Sequence, residues 1–161
     1  MIALPGTELK LALLDLYDAY GAALDDELER WPEFFTENAL YRIVARENYE
    51  RNMLWPTMSC EGRGMMLDRV TAIRETTMFA PRQMRHFVSG IRVLEATPAG
   101  YRTQANFLVG ESQVESESRV FAIGRYFDLI VRDEASDGLR FAEKMCVYDG
   151  NVILSSLIYP L

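Results

Sequence analysis

From Tyr101 to Val109 the chain alternates strictly. Tyr101, Thr103, Ala105, Phe107 and Val109 fall on one side, Arg102, Gln104 and Asn106 on the other. A period of two places successive side chains on opposite faces of a sheet, so this run predicts a half-buried β-strand. One such strand cannot bury its apolar face alone. The rest of the chain has to supply further strands beside it and an apolar cover over it. The strands follow directly. Arg119 to Arg132 reads as a long strand, with Gly124 expected at a bulge or sharp bend. Asp137-Gly138 predicts a hairpin turn into Leu139–Tyr148, and Asp149-Gly150 a second turn into a last strand, Val152–Ile158.

The cover precedes the sheet. Between Glu8 and Leu28, the residues Leu9, Leu13, Leu16, Tyr17, Tyr20, Ala23 and Leu24 recur at helical spacing, and Pro5 and Thr7 suit the start. Asp25 or Asp26 can cap a second short helix, which Pro32 breaks or restarts and to which Trp31, Phe34 and Phe35 give a bulky face. Leu40–Ala45 reads as a strand, and Arg46–Gly64 as loop with at most one short strand. Residues 64–79 read as a helix with Met66, Val70 and Ile73 on one face. No repeat, low-complexity segment or linker interrupts the chain, so residues 1–161 are expected to form a single domain. Helices followed by an antiparallel meander give an α+β fold. The expected form is the cone-shaped NTF2-like (cystatin-like) barrel, with N-terminal helices packed on a curved, mainly antiparallel sheet.

Composition narrows the function. The formal net charge is -7, the wrong sign for a nucleic-acid footprint. The apolar stretches around Val120–Ile123 and Leu129–Val131 are cut by Gly124, Arg125 and Asp128, far short of the ~20 residues of a membrane-spanning helix. The N-terminal residues lack the basic and long apolar regions of a signal peptide, so a cytoplasmic protein with Cys60 and Cys146 as reduced thiols is expected. His86 is the only histidine. An iron–sulfur cluster held by two Cys and two His, or an iron site held by two His and a carboxylate, cannot be assembled from this chain. Zinc spacing, GxGxxG, P-loop and GxSxG motifs are missing too.

Several collinear motifs carry a resemblance. Trp31-Pro32-Glu33-Phe34-Phe35-Thr36 leads into Tyr41-Arg42-Ile43 and then Arg46-Glu47-Asn48-Tyr49. Gly64-Met65 is followed by Asp68-Arg69-Val70 and Ala72-Ile73-Arg74-Glu75. Arg82 precedes Arg85-His86, Phe121 precedes Gly124-Arg125-Tyr126 and Asp128, and the chain closes on Pro160-Leu161. In this order they resemble the small (β) subunit of bacterial aromatic-ring-hydroxylating dioxygenases. Gly150 after Asp149, where many relatives have Ser, and Cys60-Glu61-Gly62 depart from the pattern. The resemblance implies an NTF2-like fold and a large (α) subunit partner carrying a [2Fe-2S] Rieske cluster and mononuclear Fe(II). It also implies self-association as a trimer within an α3β3 assembly, no cofactor in this chain, and no membrane or nucleic-acid partner. Length and the Arg46–Tyr49 segment look most like the branch acting on aromatic carboxylates such as salicylate, anthranilate, terephthalate or benzoate.

Two readings of the polar residues follow. In the first, the chain is a non-catalytic scaffold whose interface draws on Arg42, Arg46, Glu47, Asn48, Tyr49, Trp55, Arg82, Arg85 and His86. Arginine pairs bidentately with carboxylates and is enriched at interfaces. Arg42, Arg46, Arg51, Arg82 and Arg85 serve either such contacts or internal pairs with acids such as Glu47 and Glu50. Trp55, beside Pro56, is a candidate anchor. Met66 and Met78 are expected in the core, and Glu111, Glu115 and Glu117 at a solvated hairpin tip. In the second reading the chain is a free-standing isomerase, dehydratase or cyclase with His86 and a cavity acid, Asp68 or Asp128. Arg85 beside His86 favours a neutral, structural imidazole.

Overall fold

Helix α1 (Gly6–Asp26) buries Leu13, Leu16, Tyr17, Tyr20, Ala23 and Leu24, the stripe its spacing predicts. The computed structural model describes residues 6–53, 55–76, 81–133, 138–150, 153 and 157–161. A 3₁₀ helix, Leu28–Phe34, contains Pro32 and turns Trp31 fully inward. The chain then leaves as β1 (Phe35–Ala45). This strand begins before Leu40 because its register slips between Phe35 and Leu40, and the polar Thr36, Glu37 and Asn38 in the slip hide the alternation.

The segment Arg46–Gly64 contains the short strand allowed for it, β2 (Met58–Glu61), and, beyond the expectation, a single helical turn, α2 (Arg46–Glu50). Helix α3 (Arg63–Thr76) buries Met66, Val70 and Ile73; Met78 lies outside the described residues. Four long strands follow: β3 (Arg82–Thr97), β4 (Gly100–Gln113), β5 (Arg119–Arg132) and β6 (Leu139–Tyr148).

The six strands form one curved sheet in the order β2-β1-β6-β5-β4-β3. The expected meander holds from β3 to β6. Strand β1, however, lies parallel to β6, so the sheet is mixed. A parallel neighbour needs a long crossover rather than a hairpin, and α2, α3 and four intervening strands, β2 to β5, lie along that path. Strand β3 escaped the alternation reading because its register shifts twice, between Ser89 and Arg92 and between Val93 and Glu95. It is also a sheet edge, where bulges and charges block further pairing.

Two further expectations change. Gly124 pairs in register with Phe107 and Tyr148 and marks no bulge. Its role is close approach: a Cβ there would lie 2.0 Å from the Val147 carbonyl oxygen and 2.8 Å from the Phe107 ring. The last strand, Val152–Ile158, falls mostly outside the described residues, and Ile153, Leu157 and Ile158 are not in a strand. Asp137 of the expected Asp137-Gly138 turn also lies outside them. The tail ends in the core. The Tyr20 hydroxyl donates to the Leu161 oxygen (2.7 Å), and the Leu161 N–H donates to the Tyr41 hydroxyl (2.8 Å). Among the described residues no helix is long and apolar enough to cross a membrane.

Gly124→Ala should destabilise the fold by at least about 1–3 kcal/mol, the usual cost of overpacking, because a backbone carbonyl cannot step aside. Urea denaturation of the variant and the parent checks this; equal midpoints would remove the close-approach explanation.

Candidate functional site

The core beneath α1 is polar at its centre. Lys144 and Asp128 have fully buried side chains, with Nζ 2.9 Å from Oδ2. Tyr17 of α1 donates to the same oxygen (2.6 Å) and lies 3.0 Å from the Thr103 hydroxyl. The rings of Tyr17, Tyr20, Tyr126 and Phe141 surround the ammonium, with Tyr126 nearest at 3.6 Å. Cation–π attraction of this kind is strongest when the cation is desolvated. Burial raises the Asp128 carboxyl above its ordinary value against the opposing pull of Lys144 and Tyr17. The Tyr17 and Tyr126 phenols are pushed well up by the same burial. These groups form a cross-brace joining α1 to β4, β5 and β6.

A second brace joins α1 to the sheet edge. His86 Nδ1 lies 2.6 Å from Asp25 Oδ1, and the His86 backbone N–H donates to both carboxylate oxygens (3.1 Å). Gly21, one turn before Asp25, packs against the same strand: a Cβ there would meet the His86 Cβ at 3.5 Å, an ordinary van der Waals contact. Arg85 reaches Asp26 at 3.3 Å. Neither candidate cavity acid pairs with this histidine among the described residues. Asp128 is held by Lys144 and Tyr17, and Asp68 is exposed on α3, which packs on the 3₁₀ helix, β1 and β2. His86 Nε2 and the Tyr126 hydroxyl are buried without hydrogen-bond partners among the described residues.

The remaining candidates lie on the outside. Helix α2 presents Tyr49, which stacks on Phe127 of β5 at 5.1 Å and 13°. Its charges are satisfied locally: Arg46 with Glu50 (2.7 Å) and Asp149 (3.5 Å), and Glu47 with Arg51 (2.8 Å). The Asn48 carbonyl accepts from the Met53 N–H, which orders the chain leading to Trp55. Trp55 is 76% exposed. A pocket of about 270 Å³ opens beside α2, lined by residues that include Leu40, Arg42, Tyr49, Phe127, Glu143 and Met145. The structure thus gathers Arg42, Tyr49 and the α2 charges on one side, while Arg85 and His86 belong to the α1–β3 brace. Arg82 is drawn inward, 2.6 Å from Glu111, which also binds Arg119 at 2.7 Å. Glu111 is therefore a buried ion-cluster centre and not part of the solvated tip. Glu115 and Glu117 are exposed as expected.

Sequence reasoning missed Lys144. A signal was present: Lys144 alternates in phase with Cys146 and Tyr148, and Asp128 with Tyr126 and Ile130, so period two puts both charges inside. The donors do not suit a metal or cluster. His86 Nδ1 is committed to Asp25, and the Cys146 thiol, pushed up to about 12 by burial, points at the Leu161 oxygen. No group of metal-ligating side chains occurs among the described residues.

The model of the family described as ring hydroxylating beta subunit matches residues 21–155. The chain is 33% identical to the anthranilate 1,2-dioxygenase small subunit of Burkholderia cepacia over 91% of this chain and 90% of that one. It is 29% identical to a terephthalate 1,2-dioxygenase terminal oxygenase component subunit beta from Comamonas sp, over 89% and 92%. A solved structure from Novosphingobium aromaticivorans, assigned as the beta subunit of an aromatic-ring-hydroxylating dioxygenase, superposes with TM-score 0.85. Its identity is 28%, covering 96% of this chain and 98% of that one.

Lys144→Met should destabilise the fold by about 3–5 kcal/mol, because it leaves the Asp128 carboxylate buried and unpaired. Asp128→Asn combined with Lys144→Met should cost less than the two single changes added. The single variant should also become pH-dependent. Removing Lys144 removes the largest influence lowering the carboxyl, so its folded-state value rises further above the unfolded one. Stability is then present at low pH and lost as pH rises through the folded value. Urea melts at about pH 5 and about pH 8 check the sign; a deficit that grows toward low pH would contradict it.

Proposed function

The chain belongs to the ring hydroxylating beta subunit family, and from that membership we propose that residues 1–161 act as one NTF2-like domain that assembles an oxygenase without taking part in its chemistry. Small subunits of this family are components of dioxygenases, which are oxidoreductases, and they imply a large-subunit partner. In the proposal the partner carries the Rieske cluster and the mononuclear iron. The assembly is an α3β3 hetero-oligomer in the cytoplasm, in which three copies of this chain associate. It acts on an aromatic carboxylate, the class named in both the anthranilate and the terephthalate relatives.

The observation that carries the scaffold reading is what the chain's one histidine does. An acid–base enzyme needs its imidazole facing a substrate. Here the His86 side chain is buried and its Nδ1 and backbone N–H are both tied to Asp25, so it holds β3 against α1. The buried carboxylate that could act with it, Asp128, is likewise committed to Lys144 and Tyr17. The chain's polar interior is spent on bracing.

Co-expression with its Rieske large subunit should give a stable hetero-oligomer, and the small subunit purified alone should hold no iron. Light scattering and metal analysis check both. An isolated monomer in the presence of the large subunit, or stoichiometric iron in this chain alone, would sink the proposal. His86→Ala should lower the melting temperature by several degrees through the unsatisfied Asp25, about 1–3 kcal/mol. Turnover per intact, iron-loaded complex should stay nearly unchanged. A loss of about 10²–10⁴-fold in that turnover with an unchanged melt is the signature of a catalytic base and would replace the scaffold with the free-standing enzyme reading.

A further inference from the structure

We infer that the pocket beside α2 receives a carboxylate carried on an apolar side chain of the large subunit, with Arg42 as its anchor. The inference rests on the assembly reading above and adds to it the chemistry of one contact.

Arg42 lies on the outer face of β1, in the ladder row that continues through Met145 of β6 and Phe127 of β5. Its neighbours in the pocket are the apolar Leu40, Met145, Phe127 and Tyr49. Three other arginines nearby are matched: Arg46 to Glu50 at 2.7 Å, Arg51 to Glu47 at 2.8 Å and Arg102 to Glu143 at 3.3 Å. Arg42 has neither an ion pair nor a side-chain hydrogen bond among the described residues, and its Nε is buried without an acceptor. Acids outnumber bases in this chain, 24 to 17, yet among the described residues none is placed to pair with this guanidinium. Glu143, the carboxylate at the pocket rim, is already engaged by Arg102, and Asp128 beneath is neutralised by Lys144. The pocket therefore keeps one uncompensated positive charge in an apolar surround, on a chain whose net charge is -7.

A carboxylate is the complement to that charge, and a guanidinium can take it with two parallel hydrogen bonds. The apolar walls require that it arrive on an apolar body. Tyr49 of α2 lines the pocket of about 270 Å³, and Trp55, a few residues beyond the end of α2, is 76% exposed. An exposed tryptophan and a partly buried, unpaired arginine are the residue types that interface hot spots enrich, which favours a protein side chain over a free small molecule.

The test uses the complex of this chain with its co-expressed large subunit, and reads the dissociation rate of the small subunit from immobilised large subunit. Arg42→Ala and Arg42→Gln should each speed dissociation on the order of 30-fold or more, with Arg42→Lys recovering only part. Thermal melts of the isolated variants should match the parent, and Arg42→Gln keeps the stem packed if Arg42→Ala does not fold. Rates unchanged in both variants, while Trp55→Ala still weakens the complex, would overturn the anchor and leave the assembly reading standing. No complex even with the parent chain would overturn both. Two other results would also overturn the anchor. One is Arg42-dependent binding of benzoate to the isolated chain by NMR titration, which makes the pocket a small-molecule site. The other is loss of self-association in the Arg42 variants with unchanged dissociation from the large subunit, which gives the pocket to a second copy.

Discussion

A lysine ammonium sits at the centre of this fold, and the arrangement of the other elements follows from keeping it satisfied. Transfer of an isolated ion from water to the interior is costly, and in practice such a group is paired or neutralised. Lys144 projects from β6 into a space where, among the described residues, the Asp128 carboxylate of β5 is its one charged hydrogen-bond partner. Asp128 in turn needs the Tyr17 hydroxyl of α1, and Tyr17 meets Thr103 of β4. Four elements distant in sequence are thereby held in one geometry. The rings of Tyr20, Tyr126 and Phe141 close the remaining solid angle, and Trp31, Phe35 and Phe107 fill the layer behind them. A helix that slid by one turn along the sheet would leave a buried carboxylate without its phenol. Apolar contacts alone would tolerate that slip far better.

Around this centre the chain repeats one device, an acid that fastens two distant elements through basic or N–H donors. Asp25 clamps His86 and its backbone, fixing the edge strand β3 to α1. Glu111, in register with Met84 two residues from His86, takes Arg82 and Arg119 and ties β3, β4 and β5 together near the start of β3. Tyr20 and Tyr41 seat the backbone of Leu161. Each buried acid has its partners within the chain, which leaves the curved sheet rigid and its outer face free to serve contacts. The same bracing separates this chain from a barrel enzyme: the fold is hospitable to acid–base chemistry, but function belongs to the site and not to the fold.

Much of this was legible in the sequence wherever one period ran undisturbed. The helical stripe of α1, the alternation of β4 and the inward set of α3 match the structure. So do the α+β class and the NTF2-like arrangement. What escaped detection lies at positions where register breaks or where a charge points inward. Strand β3 carries two register shifts, β1 carries one, and the parallel pairing of β1 with β6 joins segments about a hundred residues apart by a contact with no local signature. Lys144 and Glu111 were hidden by their chemistry. Lysine and glutamate are almost never fully buried unless paired, so a reading of single residues puts them outside, and only the phase of their strands contradicts it. The candidate interface was read from residue type, and type alone could not separate arginines with internal partners from one without.

That separation matters more than the number of arginines. Arg82 and Arg85 have the same composition signal as Arg42, but Glu111 and Asp26 already take their charge. An ion pair exposed to water contributes little, with a median near 0–1 kcal/mol, so the α2 pairs of Arg46 and Arg51 shape the local surface without defining a binding site. An unpaired guanidinium among apolar side chains is different. Its hydration is already reduced by Leu40, Met145 and Phe127, so part of the desolvation that binding would require has been met in the folding of the chain itself. A carboxylate arriving there would lose water but would not have to strip as much from its partner. The fold that neutralises its inner charges so completely thus leaves Arg42 without an ion pair in an apolar surround among the described residues, and under the proposed anchor it is that contrast, more than overall charge or hydrophobicity, that a partner would recognise.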